Sequence, residues 1–244
     1  MNDIDILGLY FKGKALEEAI KQYEQGTPAA YIIGEWEFCG DRYILNSDCL
    51  IPRCDTERVA EKVLESLPDG KRLADICTGS GCIAISVLKR KKNAIGVAVD
   101  ISKNALSAAK QNAEINGVSD RLTLLCADAL GDPLGDGLFD VIVSNPPYIP
   151  TKDMESLDEY VKKEPSIALD GGEDGMIFYE HITKNCGKNL TENGVMIFEI
   201  GYDQEDAIKK TANCHGFTCE VTKDYSGNPR VALLKKIKAP SEEV

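Results

Sequence analysis

The chain has 244 residues, enough for one substantial domain with a small appendage and a core that folds without staples, but short for two full domains. Its 40 acidic residues against 28 basic ones leave a net charge of −12, which argues against action through broad neutralisation of nucleic-acid phosphates. Nine cysteines (Cys39, Cys49, Cys54, Cys77, Cys82, Cys126, Cys186, Cys214 and Cys219) are scattered with no C-x-x-C pair. That spacing predicts reduced, mostly small apolar residues, not a disulfide or zinc framework.

In chain order, residues 1–14 are acidic and alternate polar with apolar positions, without the basic start and unbroken apolar core of a signal peptide. No stretch reaches the roughly 20 apolar residues that a membrane span needs, so a soluble, cytoplasmic protein is expected. Leu16, Ala19, Ile20 and Tyr23 recur at helical spacing and predict one amphipathic helix over 15–24. Residues 30–50 contain Tyr31, Ile32, Ile33, Trp36, Phe38, Tyr43, Ile44 and Leu45, bracketed by Gly34, Gly40 and Asp41. They predict a β-hairpin or a pair of short strands. A helix over about 56–67 follows and ends at Pro68-Asp69-Gly70.

From Lys71 onward, short apolar runs alternate with longer helical patterns, the signature of an α/β domain around a mostly parallel sheet. Seven strands are predicted: 72–76, 94–99, 122–126, 141–144, 195–200, 218–222 and 231–235. The basic run Lys89 to Lys92 reads as the solvated C-terminal end of a helix. Residues 224–229 between the last two strands are turn-rich and too short for a crossover helix, so those strands form an antiparallel hairpin. Such a closing hairpin distinguishes a class I methyltransferase sheet from an ordinary dinucleotide-binding one. The charged tail from Lys235 is expected to fray.

The first strand of this sheet runs into Asp75-Ile76-Cys77-Thr78-Gly79-Ser80-Gly81, followed by a helix from Cys82. A glycine-bearing turn there lets a ligand approach backbone N–H groups at a helix N-terminus. A dinucleotide fingerprint would need glycine at 77, 79 and 82, where the chain has Cys77, Gly79 and Cys82, and no Gly-Lys-Ser/Thr follows to make a P-loop. Nineteen residues after Gly81, at the tip of the second strand, stands Asp100 with Ile101 beside it. A carboxylate in that place accepts both hydroxyl hydrogens of a ribose. The competing reading is a helix N-cap, a role that Ser102 fills equally well. After the third strand, Asp128 is placed to accept from an adenine amine and Ala129 to offer its N–H, unless this is merely a surface loop aspartate.

The fourth strand ends in Ser144-Asn145-Pro146-Pro147-Tyr148. Two consecutive prolines fix φ and remove two donors, leaving a stiff loop. An amide or aromatic amine nitrogen is a poor nucleophile because its lone pair is delocalised. Methylating it requires that both N–H groups be held while the lone pair faces a sulfonium methyl. The Asn145 side-chain oxygen and the Pro146 carbonyl supply two acceptors, and Tyr148 a ring to stack on the planar group. In-line displacement assisted mainly by positioning is the expected mechanism.

With these residues in view, the chain resembles the release factor N5-glutamine methyltransferases, the HemK/PrmC family, over Thr27 to about Lys235. Thr27 to Gly34 and Glu37 to Gly40 resemble the family's hairpin linker, and Ile51-Pro52-Arg53-Cys54-Asp55-Thr56-Glu57 is similar to its I-P-R-P-E-T-E segment. Asn145-Pro146-Pro147-Tyr148 matches its N-P-P-Y. Glu164-Pro165 with Ala168-Leu169, Gly171 to Gly175, and Phe198-Glu199-Ile200-Gly201 continue the likeness. N-P-P-Y alone is shared with DNA adenine methyltransferases; the segment 51–57 makes the match specific.

The resemblance implies a class I fold with a seven-stranded, mostly parallel sheet. It implies S-adenosylmethionine as methyl donor, with S-adenosylhomocysteine as product. The cofactor is expected against Cys77, Thr78, Gly79, Ser80, Gly81, Asp100, Ile101, Asp128, Ala129 and Asn145. Asn145 and Pro146 would hold the substrate amide, with Pro147 and Tyr148 completing its pocket. The implied substrate is the glutamine of the Gly-Gly-Gln loop of peptide chain release factors, with no stable nucleic-acid binding, membrane or metal. The implied division is a truncated helical segment over 1–26, a hairpin linker over 27–55, the methyltransferase domain over 56–238 and a tail over 239–244. The chain departs from the family at Cys54 and Asp55, which replace Pro-Glu, and at Ala129, where some members carry an aromatic. Two rival reactions share the loop chemistry: methylation of adenine or another nucleic-acid amine, and methylation of a ribosomal protein glutamine. A degenerate fold acting only as a scaffold would have no need of Asn145 and Asp100 together. His181 and His215 carry no expected role.

Overall fold

The computed structural model describes residues 2–237. Its centre is a seven-stranded sheet of β3 (Arg72–Ile76), β4 (Ile95–Asp100), β5 (Leu122–Cys126), β6 (Phe139–Ser144), β7 (Leu190–Glu199), β8 (Phe217–Lys223) and β9 (Pro229–Lys236). The strand order is β5-β4-β3-β6-β7-β9-β8. Pairings from β5 through β7 are parallel, whereas β9 runs antiparallel to both β7 and β8, inserted between them. The expected α/β class and closing hairpin are therefore present, with all seven strands where the apolar runs placed them. β7 begins five residues earlier than its apolar run, because the turn-like Thr191 to Gly194 is absorbed by a register shift opposite Phe139 and Val141. β9 continues through Lys236, so Lys235 is a paired strand residue and not the start of a frayed tail. The tail expected over 239–244 lies outside the described residues.

Alternate residues of the central strands serve opposite, covered faces of the sheet, which is why 141–143, 195–198 and 231–234 read as continuous apolar runs, whereas the edge strand β8 alternates. Leu73, Ala98, Val141, Val143, Ile197 and Leu233 pack with α4 (Cys54–Ser66) and α5 (Cys82–Arg90). Ala74, Ile76, Ile142, Met196, Phe198 and Leu234 pack with α7 (Ile177–Cys186) and α8 (Glu205–Cys214). α6 (Lys103–Ile115) lies beside α5, and Ser102 caps it by accepting from the Ala105 amide at 3.1 Å.

The N-terminal part departs from expectation in two places. An additional helix, α1 (Asp3–Tyr10), precedes the predicted α2 (Lys14–Glu24). It is nucleated by a capping box in which Asn2 accepts from the Asp5 amide and Asp5 accepts from that of Asn2. Tyr31, Ile32 and Ile33 are helical instead of extended, in the five-residue α3 (Ala29–Ile33). The Pro28 carbonyl accepts from Tyr31 and Ile32, and Gly34 ends the helix at φ 80°, so the flanking residues overrule the β-branched run. The hairpin is thus limited to β1 (Glu35–Phe38) and β2 (Asp41–Ile44), joined through Cys39 and Gly40, both at positive φ. Lys89 and Arg90 do not simply end α5 in solvent: both pair with Asp41 and fasten the hairpin. Among the described residues no helix is long and apolar enough to cross a membrane.

All nine cysteines are free, as the absence of C-x-x-C pairs predicts: Cys49, Cys82 and Cys186 are buried, Cys39, Cys77 and Cys219 pack against the core, and Cys54, Cys126 and Cys214 are exposed.

Candidate active site

The chain winds outward from β3 to β4 and β5, then returns to β6 on the other side of β3. This reversal opens a crevice at the carboxyl ends of β3 and β6, where open α/β sheets bind ligands. Ser144 donates its hydroxyl to the Ile76 carbonyl at 2.6 Å and clamps the two strand ends together. A cleft of about 250 Å³ lies there. Cys77, Thr78, Gly79, Ser80, Asp100, Ile101, Asp128, Ala129, Asn145 and Pro147 all line it. Gly81, Pro146 and Tyr148 do not belong to this lining. The cleft carries the carboxylates of Asp48, Asp100 and Asp128 and, among the described residues, no lysine or arginine. Such a surface suits a cationic ligand and repels a pyrophosphate.

The glycine turn is internally tied. Thr78 donates its amide to the Val99 carbonyl, Gly79 to Asp100 Oδ2 at 2.8 Å and Gly81 to the Thr78 carbonyl. Asp100 is therefore not the helix cap. Its Oδ1 accepts from the Ser102 amide at 2.9 Å, and its two oxygens fix the turn relative to β4. Burial raises its pKa, backbone hydrogen bonds working against that, and additional hydrogen bonds from a ligand would stabilise the charged form. Gly81, at φ 80°, serves packing: a Cβ there would lie 2.7 Å from Ile85 Cδ1 and 3.2 Å from Ala109 Cβ.

Beneath the turn, Asp75 is 1% exposed and accepts from the Thr78 hydroxyl at 2.7 Å and the Ala84 amide at 3.2 Å, while its Oδ1 has no partner. Burial pushes its pKa up from 3.8 to about 7. The folded state thus holds this proton more tightly than the unfolded chain does. Stability from this group declines as pH rises between those two values, and the destabilisation is full above about pH 7. Asp75→Asn is expected to stabilise the protein at pH 8 and to have little effect near pH 4. Urea denaturation at both values checks this, and an equal effect at both would contradict the assignment.

Asp128 accepts from the Leu130 amide at 2.8 Å, and the loop is held from α7 by His181, whose Nδ1 donates to the Leu130 carbonyl at 3.2 Å. Phe178, also on α7, lines the cleft together with Ala129 and Leu130 and brings an aromatic ring to the lining.

The Asn145 amide sits at the β6 end of the cleft. Its Nδ2 donates to Thr56 Oγ1 at 3.3 Å, whereas Oδ1 is buried with no protein partner. Thr56 donates its own hydroxyl to Glu199 Oε2 at 2.6 Å, and Tyr148 donates to Glu199 Oε1 at 3.3 Å. Tyr148 is thereby anchored into the protein, its hydroxyl turned to Glu199. The loop is buttressed from below: Ile149 donates its amide to the Leu169 carbonyl, Gly171 to that of Ile149, and Gln204 Nε2 to that of Tyr148 at 3.0 Å.

Sequence reasoning missed Thr56, Glu199, Phe178, Ile167 and the clasp between Arg53 and Glu164. Glu164 also accepts from the Ile51 amide at 3.0 Å and joins the 48–53 loop to the 164–169 loop across from the glycine turn. Asn112 is likewise unforeseen. Buried on α6, it bonds both backbone groups of Ile44 and donates to the Ser80 carbonyl at 2.9 Å, docking the hairpin onto the turn. Arg53, Thr56, Glu164 and Glu199 lie in the segments that carry the family resemblance, the one signal that marked them.

Fold and cleft together define a class I methyltransferase, and residues 56–197 match the family described as Methyltransferase small domain. The "Release factor glutamine methyltransferase" of Aquifex aeolicus is 37% identical over 225 residues, covering 91% of this chain and 80% of its own. The protein of the same name from Geobacter sulfurreducens is 41% identical over 206 residues, covering 84% of this chain and 72% of its own. The chain belongs to the release factor glutamine methyltransferase family. A solved methyltransferase from Pyrococcus furiosus shares the fold with a TM-score of 0.63 at 18% identity, covering 91% of this chain and all of that one.

Proposed function

We propose that the protein transfers a methyl group from S-adenosylmethionine to the side-chain nitrogen of the glutamine in the Gly-Gly-Gln loop of peptide chain release factors, leaving S-adenosylhomocysteine. The observation that carries this is the Asn145 amide oxygen, buried at the end of a carboxylate-lined cleft without a protein partner. A buried acceptor left open is costly unless a ligand donor fills it, and a primary amide brings such a donor. The bound donor supplies an electrophilic methyl group on a sulfonium. The chain's part is positional: Asn145 Oδ1 and the Pro146 carbonyl accept the two amide hydrogens, so the nitrogen lone pair is presented in line. Pro147 and Tyr148 shape the pocket. Thr78 to Gly81, with Cys77, Asp100, Ile101, Asp128 and Ala129, hold the cofactor. In this reading residues 56–238 form the methyltransferase domain, 27–55 the hairpin linker and 1–26 the helical segment.

Asp100→Ala is expected to weaken S-adenosylmethionine binding by about 1.5–3 kcal/mol, as loss of charge-assisted hydrogen bonds predicts. Titration calorimetry measures this, and unchanged affinity would remove the ribose role. The function itself is tested with radiolabelled S-adenosylmethionine offered to a release factor, to its variant with alanine for the Gly-Gly-Gln glutamine, and to an adenine-containing DNA duplex. Label on the unmodified factor alone supports the reading. Label on DNA would keep the loop chemistry and overturn the substrate.

A further inference from the structure

We propose that Thr56 and Glu199 are positioning residues that decide which end of the Asn145 amide faces the cleft. The oxygen and nitrogen ends of a primary amide are nearly the same size, so packing alone does not select between them. Hydrogen bookkeeping does. Burial raises the pKa of Glu199, opposed by the Thr56 hydroxyl, the Arg230 charge and the Tyr148 hydroxyl, and in the carboxylate form that these groups favour it only accepts. It takes the single Thr56 proton on Oε2, at 2.6 Å, and the Tyr148 proton on Oε1. With its proton committed, Thr56 Oγ1 has only lone pairs to offer Asn145, and it therefore meets the Asn145 NH₂ group, at 3.3 Å. The oxygen is turned the other way, where nothing in the protein bonds it. Thr56 and Glu199 are 2% and 1% exposed, so water does not compete for these bonds.

This inference rests on the proposed role of Asn145 as acceptor for the substrate amide, and it goes further by naming what sets the polarity of that acceptor. Three segments far apart in sequence, 51–57, 145–148 and 198–201, meet in one chain of hydrogen bonds: Asn145 to Thr56, Thr56 to Glu199, Tyr148 to Glu199. Replacing the carboxylate by an amide of the same shape can reverse the relay. When the NH₂ group introduced by Glu199→Gln donates to Thr56, the threonine proton is released toward Asn145. The NH₂ end of Asn145 then turns into the cleft, where it repels the substrate N–H.

The test compares wild type, Thr56→Val, Thr56→Ser, Glu199→Gln, Asn145→Ala and the double variant Thr56→Val/Asn145→Ala in release factor methylation. Cofactor affinity and melting temperature are measured for each. Thr56→Val and Glu199→Gln are expected to lower kcat about 10- to 100-fold, as for other groups that orient a binding side chain, with S-adenosylmethionine affinity unchanged. Thr56→Ser, which keeps the hydroxyl, restores most of the rate. Thr56→Val adds no further loss in the Asn145→Ala background, because it acts through that side chain. Full activity in Thr56→Val, or losses that multiply in the double variant, would overturn the inference while leaving the proposed function standing. A wild-type protein that leaves the release factor unlabelled overturns both. If Glu199→Gln does not fold, the Thr56→Val and Thr56→Ser pair decides.

Discussion

Asn145→Ala is expected to lower kcat for methyl transfer by about 10²- to 10³-fold, the size of effect seen when one preorganised polar partner is removed from a reacting centre. Affinity for S-adenosylmethionine should stay nearly unchanged, because the carboxylates and the glycine turn proposed to hold the cofactor are fixed by bonds that do not involve this side chain. The split arises from geometry. Asn145 follows the last residue of β6 and lines the cleft, its amide nitrogen held by Thr56 and its oxygen buried without a protein partner. Truncation removes the acceptor that would hold one substrate hydrogen, and with it the alignment of a nitrogen whose lone pair is otherwise delocalised. Single-turnover kinetics with radiolabelled cofactor separate the chemical step from binding. An Asn145→Ala variant as fast as wild type would end the proposed role for this residue.

Gly175→Ala is the second large effect, and it acts on the same loop from below. Gly175 has φ 76°, a conformation that costs an L-residue with a Cβ about 1–2 kcal/mol. Its Cβ would also stand 2.7 Å from Gln204 Nε2 and even closer to the Tyr148 carbonyl oxygen, the two atoms that hydrogen-bond to fix the end of the loop. Backbone must shift, and overpacking of this kind adds about 1–3 kcal/mol. The expected result is a lower melting temperature together with loss of methyl transfer. Gly172→Ala is the matched control: its φ is 87°, but its Cβ would meet only the Ile177 side chain, at 3.2 Å. Equal destabilisation by the two substitutions would show that backbone conformation alone matters and that the contact with the loop does not.

The middle of the sheet was legible because both of its faces are covered, so 141–143, 195–198 and 231–234 are apolar runs, and the edge strand β8 was legible from its alternation. The short N-terminal elements were not. α1 has only Leu7 buried, leaving no periodic stripe to detect, and the Asn2–Asp5 cap reads as part of an acidic tract. In α3, the run Tyr31-Ile32-Ile33 has strand composition, and only Pro28 and Gly34 on either side betray a single turn and a half of helix. At the site, residues that follow strands were readable, since a strand end fixes where a side chain emerges; Asp100, Asp128 and Asn145 all reach the one cleft. Groups contributed from elsewhere were not. Phe178 lies on a helix whose apolar spacing signals core, and Thr56 and Glu199 look like an ordinary first-turn residue and a strand-end charge. Their importance lies in each other's company, which spacing along the chain does not encode.

That company has a consequence for how the protein comes to be active. The Thr56–Glu199 bond spans 143 residues and the Asn145–Thr56 bond spans 89. Glu199 sits on β7, which remains an open edge until β9, the last strand among the described residues, slots in between β7 and β8. Contacts of such long range form late, after the entropy of closing large loops has been met. A nascent chain that has emerged as far as residue 148 already contains the glycine turn and the Asn-Pro-Pro-Tyr loop, yet it lacks Glu199, which takes the Thr56 and Tyr148 protons, and Leu169, Gly171 and Gln204, which buttress the loop. Catalytic competence therefore arrives in one step with the final strand, and during refolding its recovery should lag behind the return of helix and sheet signals.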